Sequence, residues 1–322
     1  MVGIRAAFDR RIHLTTYRGG VSALAAPERI DWRAPKQLAS LVYPKDSRHA
    51  TSRPFWAGAQ TKFMLMHRPD LGFKNTAGGA HASRTIMLAE LGLLLDACPE
   101  GAPQADYRQA AVDHNCLGKR SASTRALTWG HLVDLYGVNP EQLVFRGLRW
   151  FWHRDVEGRP LTALSAALAR DGLLSSIAPH VWAAPVGSTV SRESVETFMA
   201  GKFPDRFSPA TLKSVAQNIN ATLTQTGHLS GRARKLREQA RPTAGSVAYA
   251  LLLGYASGAR GPELFQTRFM KAQDVPVAVC IDLAEEAARK GWIEFKRVAD
   301  VMEVAFPRLI RPEEEAEIRE QA

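Results

Sequence analysis

The sequence predicts a mainly α-helical protein, a helical bundle with two helix-turn-helix-like units and short β-hairpin wings. From about residue 73 onward, apolar residues recur at the three- and four-residue spacing of amphipathic helices. Ser or Thr stands where several of these patterns begin, and Gly or Pro where they end, as at helix caps. Only two stretches, within residues 230–237 and 292–306, are typical of hairpins.

Bulk composition indicates a soluble, reduced, cytoplasmic protein. The chain has 322 residues, of which 45% are hydrophobic, enough for a full core and two or three domains. Its longest strongly apolar run, residues 247–256, is too short to span a bilayer, so no membrane partner is expected. Cys98, Cys116 and Cys280 lie far apart without metal-ligand spacing, so neither a disulfide framework nor a metal site is expected.

Positive charge is concentrated at the N-terminus. The formal net charge is +10, but residues 1–68 contain 12 Lys or Arg and 4 Asp or Glu, which leaves the remainder at only +2. Residues 1–68 also lack helical or strand periodicity and are interrupted by Gly and Pro. We expect a basic, poorly ordered extension that lies on nucleic acid, or upstream sequence from a mis-called start, with Met64 or Met66 as the true start.

The rest of the chain divides into an N-terminal helical domain, a C-terminal winged-helix-like domain and an acidic solvated tail, at residues 69–185, 186–312 and 313–322. Each predicted helix ends at a Gly, a Pro or a break in its apolar period. The predicted helices cover residues 82–97, 104–115, 121–137, 141–154, 159–170, 172–182, 191–199, 208–226, 243–257 and 274–290.

The central stretch, residues 207–242, carries the clearest functional pattern. Ser208 and Pro209 predict a helix start, and Gly227 predicts its end. One face is apolar, and the other carries the polar residues Lys213, Gln217, Asn218, Asn220, Thr222, Thr224 and Gln225. A basic turn follows, with Arg232, Arg234, Lys235 and Arg237. A helix, a glycine and a basic hairpin are typical of a winged helix-turn-helix, although an ordinary surface helix followed by a solvated loop fits as well.

A second candidate unit lies earlier in the chain. Residues 117–120, Leu-Gly-Lys-Arg, form a predicted basic turn before a Ser/Thr-capped helix. Cations and hydroxyls there would lie near a positive helix N-terminus, where a phosphate binds well. The candidate DNA-binding residues are Lys119, Arg120, Ser123, Thr124 and Arg125. A plain capped helix is the alternative.

No catalytic motif stands out in the sequence. The common phosphate-binding, hydrolase and zinc-protease signatures are missing, and the nine histidines are dispersed. We therefore expect no enzyme activity, no cofactor and no small-molecule substrate.

Residues 73–310 resemble the BrxA family, accessory proteins of the BREX bacteriophage-exclusion systems. The resemblance is carried by Thr-Ala-Gly-Gly-Ala at 76–80, by the block from Asn115 to Arg125, and by Leu-Ala-Arg-Asp-Gly-Leu-Leu at 168–174, where Gly172 replaces the family's proline. Residues 207–237, 248–253 and 292–306 continue it. It implies a non-enzymatic helical protein that binds double-stranded DNA and works with other BREX proteins. The DNA-facing residues it implies are Lys119, Arg120, Ser123, Thr124, Arg125, Lys213, Arg232, Arg234, Lys235 and Arg237.

The expected function is therefore double-stranded DNA binding, with contacts mainly to the phosphate backbone. Two alternatives remain open at this point. One is a protein-interaction adaptor within the defence complex, and the other is an RNA-binding helical module.

Overall fold

The computed structural model describes residues 68–74, 77–298 and 301–320, and the extension predicted at residues 1–68 lies outside them except for Arg68. The described residues are mainly helical with two small antiparallel hairpins, which confirms the predicted fold class. The helices are α1 Leu88–Asp96, α2 Gln104–Val112, α3 Ala122–Tyr136, α4 Leu143–Arg154, α5 Arg159–Arg170, α6 Gly172–Trp182, α7 Arg192–Lys202, α8 Pro209–Gln225, α9 Ala244–Ala256, α10 Arg268–Lys271, α11 Val277–Arg289 and α12 Pro312–Glu320. The strands are β1 Leu229–Ser230, β2 Leu236–Arg237, β3 Glu294–Val298 and β4 Val301–Ala305, and 3-10 helices lie at Ala80–Ala82 and Gly261–Gln266.

Helix α1 begins six residues later than the sequence predicts. The Ile86 amide donates to Thr222 Oγ1 of α8 at 2.9 Å, so this part of the chain is tied to another helix instead of to its own turn. Met87 then adopts a left-handed backbone conformation, with φ 52°, immediately before the helix. Tertiary contacts thus override the local helical pattern here.

A continuous set of buried side chains extends across the domain boundary predicted at residues 185 and 186. Helix α9 lies at its centre and is buried all round, packed against α4, α5 and α11. Tyr249 of α9 donates its hydroxyl to the Val144 carbonyl at 2.7 Å. The tryptophan-rich run of α4 packs into the core, with the ring centres of Trp150 and Phe151 at 6.4 and 6.2 Å from that of Trp292.

Residues 172–237 have the connectivity of a winged helix. Helix α6 leads into an extended segment at 187–190, then α7, α8 and the β1–β2 hairpin. Thr189 pairs with Leu236, and the Val190 amide donates to the Lys235 carbonyl at 2.9 Å. The extended segment therefore lies alongside β2, as a third strand-like segment next to the hairpin. A helix, a strand, two helices and a hairpin follow one another in the order of a winged helix-turn-helix.

The next part of the chain has a similar order, with a 3-10 helix in place of the extended segment. Helix α9, the 3-10 helix Gly261–Gln266, α10, α11 and the β3–β4 hairpin follow one another, and the 3-10 helix packs against β4. The hairpin pairs Glu294 with Ala305 and Val298 with Val301. The protein therefore contains two helix–hairpin units in tandem, the first at 172–237 and the second at 244–305.

The acidic C-terminal segment differs from the solvated tail that its charge predicts. It forms helix α12, and Ile318 is only 1% exposed. Glu314 pairs with Arg146 at 2.5 Å, and Glu317 pairs with Arg68 at 3.2 Å. One apolar side chain and these ion pairs dock the helix on the bundle, because they bury its inner face and leave most carboxylates in water.

Candidate nucleic-acid interface

Helix α8 presents a neutral-to-positive outer face. Ser208 caps it, with its Oγ accepting the Thr211 amide at 3.2 Å, and Pro209 occupies the first helical position. Val215, Ile219 and Leu223 are fully buried, which fixes the opposite side toward solvent. The exposed residues of that side are Ala210, Lys213, Ser214, Gln217 and Gln225. The helix contains no Asp or Glu, so nothing on it repels a phosphate.

Three polar residues assigned to this outer face lie elsewhere. Thr222 is fully buried, and Asn220 is 5% exposed. Asn218 is half-buried and donates its Nδ2 to the His81 carbonyl at 3.0 Å. The expectation that they face nucleic acid is wrong, because His81 and Ile86 of the segment before α1 contact Asn218 and Thr222, and Asn220 is itself buried.

The β1–β2 hairpin carries the densest exposed positive charge of this unit. Its turn needs a glycine at 231, where φ is +84° and an added Cβ would lie 2.2 Å from the Arg234 carbonyl oxygen. Arg232 and Arg234 are exposed, and Lys235 is half-buried. Arg234 donates to Thr189 Oγ1 at 3.0 and 2.9 Å, and Lys235 Nζ donates to the Gly231 carbonyl at 2.7 Å.

These three cations keep their charge available. Within the described part of the chain, none of them forms an ion pair with a carboxylate. The acidic residue nearest in sequence, Glu238, accepts a hydrogen bond from Ser230 Oγ at 2.8 Å. Hydroxyl and carbonyl partners orient Arg234 and Lys235 without neutralising them, so the hairpin can still attract a polyanion.

Arg237 does not belong to this surface, although the sequence places it in the same basic run. It is only 2% exposed, and its guanidinium forms two hydrogen bonds with the Asp274 carboxylate, at 2.5 and 2.9 Å. Its Nη2 also donates to the Trp182 carbonyl at 3.2 Å. A buried, paired guanidinium cannot reach DNA, so the assignment of Arg237 is corrected to a structural role that joins the two helix–hairpin units.

His228 supports the base of the same hairpin. Its Nε2 lies 3.0 Å from the Ala272 carbonyl oxygen, and its Nδ1 lies 3.0 Å from Thr226 Oγ1. Burial lowers the pKa of His228 to about 4, and the nearby Asp274 carboxylate opposes that effect only in part. The ring is therefore neutral near pH 7, with Nε2 donating to the carbonyl.

The earlier candidate unit at α2 and α3 is only partly available. Ser121 caps α3 as predicted, accepting the Thr124 amide at 3.1 Å. Lys119, however, pairs with Glu90 at 2.9 Å, with both side chains about one quarter exposed. Arg120, Ser123 and Thr124 are exposed, whereas Arg125 is half-buried with its Nε enclosed and without a hydrogen-bond partner. Helix α4 follows α3 directly, so this unit has no hairpin.

The 3-10 helix Ala80–Ala82 lies between the two candidate units and contacts both α3 and α8. It is held there by a buried polar network that sequence analysis missed. His81 Nδ1 lies 2.8 Å from Asp171 Oδ2, and His81 Nε2 lies 2.8 Å from Thr222 Oγ1. Asp171 also accepts the amides of His81 and Leu174, at 3.0 and 2.9 Å. Burial alone would raise the pKa of Asp171, but His81 and these amides hold that pKa below its usual value.

This network has the acid, imidazole and hydroxyl order of nucleophilic hydrolases, but its position indicates a structural role. Asp171, His81 and Thr222 are 2%, 0% and 0% exposed. A substrate cannot reach the Thr222 hydroxyl, which also accepts the Ile86 amide. Gly79 is required beside it, because a Cβ there would lie 2.0 Å from the Asp171 carboxylate.

A cavity of about 230 Å³ lies next to the network. Its cations are already satisfied, because Lys74 pairs with Asp134 at 2.9 Å and Arg170 donates to the Gly72, Val133 and Asp134 carbonyls. The lining residues are Lys74, Gly79, Ala80, Ser83, His131, Asp134 and Arg170. The cavity therefore offers less free charge than the hairpin.

The described residues contain no cluster of three His, Cys, Asp or Glu side chains that could hold a metal ion. None of their helices combines the length and the apolar character that crossing a membrane requires.

Comparison with known proteins identifies no family for this chain. No protein-family model matches the chain, and no curated protein matches its sequence. The two helix–hairpin units and their charges are therefore the features that bear on function.

Proposed function

We propose that this protein is a non-enzymatic, cytoplasmic double-stranded DNA-binding protein whose contacts are mainly to the phosphate backbone. The first helix–hairpin unit would provide the contact surface, with α8 as the helix that faces the duplex and the β1–β2 hairpin as the wing. The resemblance of residues 73–310 to the BrxA family supports a role as an accessory protein of BREX defence, alongside other BREX proteins.

One observation carries the proposal. An acid-free helix with an exposed Lys213 is followed directly by a hairpin with three cations, Arg232, Arg234 and Lys235, that lack carboxylate partners among the described residues. Surface cations commonly pair with nearby carboxylates, and the lack of such pairs for these three cations favours a polyanionic partner.

The chemistry of this surface favours phosphates over bases. Its exposed cations lie on a hairpin, while the outer face of α8 offers short or neutral side chains, Ser214, Gln217 and Gln225. Because Asn218 and Asn220 are turned inward, the exposed face of the helix does not present these two amides, which could otherwise pair with adenine. We therefore expect weak sequence preference. Arg120, Ser123, Thr124 and Arg125 remain a secondary candidate site, and Lys119 is less available because of Glu90.

The test removes two hairpin cations, in Arg234→Ala/Lys235→Ala, and measures duplex affinity against salt concentration. Each lost phosphate contact reduces the slope of log K against log salt by about 0.9, so the double variant should flatten it by about two units. The second hairpin provides a matched control, Lys296→Ala/Arg297→Ala, which removes the same charge from two exposed strand residues. If both double variants change the slope equally, or neither changes it, the assignment of the first hairpin is wrong.

A second candidate function, a protein-interaction adaptor, is favoured by the second helix–hairpin unit. Val298 and Val301 at its hairpin tip are 76% and 72% exposed, and Val277 and Val279 at the start of α11 are 39% and 40% exposed. Exposed apolar side chains of this kind suit a protein partner. A gel shift at moderate salt discriminates between DNA binding and an adaptor function, because an adaptor would not retard duplex DNA.

Competition between duplex DNA and structured RNA tests the RNA-binding alternative.

A further inference from the structure

Arg268 of α10 occupies an unusual position between the two helix–hairpin units. Its Nη1 donates to Ser175 Oγ of α6 at 3.1 Å, and its guanidinium lies 4.7 Å from the centre of the Phe269 ring. The side chain is partly buried. No carboxylate of the described residues lies within ion-pair distance of it. Among the described residues, a single neutral hydroxyl is thus the hydrogen-bond acceptor of this partly buried cation.

The buried arginines of the same core are satisfied differently. Arg237 has the Asp274 carboxylate and several carbonyls, and Arg170 has three backbone carbonyls. Arg149 donates to the Cys98 carbonyl and contacts His153. Each therefore finds more than one acceptor, as a desolvated guanidinium requires. Arg268 lacks this compensation.

We infer that Arg268, with Ser175 and the neighbouring Lys271, forms a binding site for an oxyanion, a phosphate or carboxylate group. The planar guanidinium presents its remaining donors as a fork that matches two oxygens of such a group. Lys271 lies three residues later on the same helix and is exposed, so it adds a second positive charge on the solvent side. The Ser175 hydroxyl, held by Nη1, can turn its own proton toward the anion.

The state of charge agrees with this assignment. Burial lowers the pKa of Arg268 to about 10, and no neighbouring acid raises it again. The group stays cationic at neutral pH, but without a counter-charge. An anion at this position would supply it. The site is separate from the β1–β2 hairpin, so it does not depend on the DNA-binding proposal.

The experiment compares Arg268→Met with the full-length wild type, using thermal unfolding in chloride, inorganic phosphate or acetate at equal ionic strength and pH 7. Arg289→Met is the matched control, since Arg289 is exposed on α11. The wild type and the control should gain stability saturably with phosphate or acetate beyond chloride, and Arg268→Met should weaken that apparent affinity at least tenfold. Whether phosphate or acetate acts identifies the anion class.

A second readout separates binding from general salt effects. In chloride alone, Arg268→Met should be at least as stable as the wild type, because an unpaired charge is replaced by an apolar chain of similar length. An identical anion response in both proteins, or no response in the wild type, overturns the inference. If Arg268→Met does not fold, a phosphorus NMR titration of inorganic phosphate with Arg268→Lys decides, since lysine keeps the charge but lacks the fork. Unchanged phosphate affinity in that variant also overturns it.

Discussion

Removing the Asp274 carboxylate should be among the most damaging single substitutions in this protein. Asp274 accepts two hydrogen bonds from the Arg237 guanidinium, at 2.5 and 2.9 Å, and the Ala240 amide at 2.9 Å. Arg237 is 2% exposed, so in Asp274→Ala its charge remains buried without a counter-ion. Loss of one partner of a buried ion pair costs about 3–5 kcal/mol of unfolding free energy.

Urea unfolding followed by circular dichroism measures this loss, and thermal unfolding should show a fall of about 10 °C in Tm. Glu286→Ala is the matched control, because it breaks the Glu286–Lys290 pair, whose side chains are 40% and 45% exposed. That exposed pair should contribute less than about 0.5 kcal/mol. If Asp274→Ala loses less than about 1 kcal/mol, the view that Arg237 is a structural residue is refuted.

Two further predictions concern the buried polar groups. Thr222→Val should destabilise the fold by about 1–3 kcal/mol in urea unfolding, because it removes the hydroxyl that accepts the Ile86 amide and hydrogen-bonds to the His81 ring while keeping the side-chain volume; a loss below about 0.5 kcal/mol would contradict this. The pKa of His228 falls from 6.5 to about 4 on folding. Because the unfolded chain therefore binds a proton more readily than the folded protein, the free energy of unfolding should decline as pH falls from 6.5 to 4, by about 3 kcal/mol in total. A His228→Gln variant should show a shallower decline of Tm over that pH range, and an unchanged pH profile would count against this role.

Helix positions were largely predictable because most helices carry their own caps and apolar faces. Helices α5 and α6 begin and end at the predicted residues, and α8 begins directly after the Ser208 cap. The start of α1 was not predictable, because it depends on Thr222, which lies more than 130 residues away in the sequence. Local periodicity carries no information about such a contact.

The site shows the same division between local and long-range information. Clustering of Arg232, Arg234 and Lys235 on an exposed hairpin followed from the glycine and the density of charge. The burial of Arg237 did not, because its partner Asp274 comes from the following unit. His81 and Asp171 are 90 residues apart, and only Gly79 before His81 indicated a close approach of the backbone.

Side-chain charge, and not connectivity, distinguishes the two helix–hairpin units. Helix α8 has no acidic residue, whereas α11 carries Asp282, Glu285 and Glu286. The first hairpin ends in cations, and the second ends in Val298 and Val301. A duplex placed against α11 would meet a row of carboxylates within a Debye length of its phosphates, so the repulsion would not be screened at physiological salt. Because one fold can serve unrelated functions, the second unit supports an adaptor role as readily as the first supports DNA binding, and the two roles are compatible in one chain.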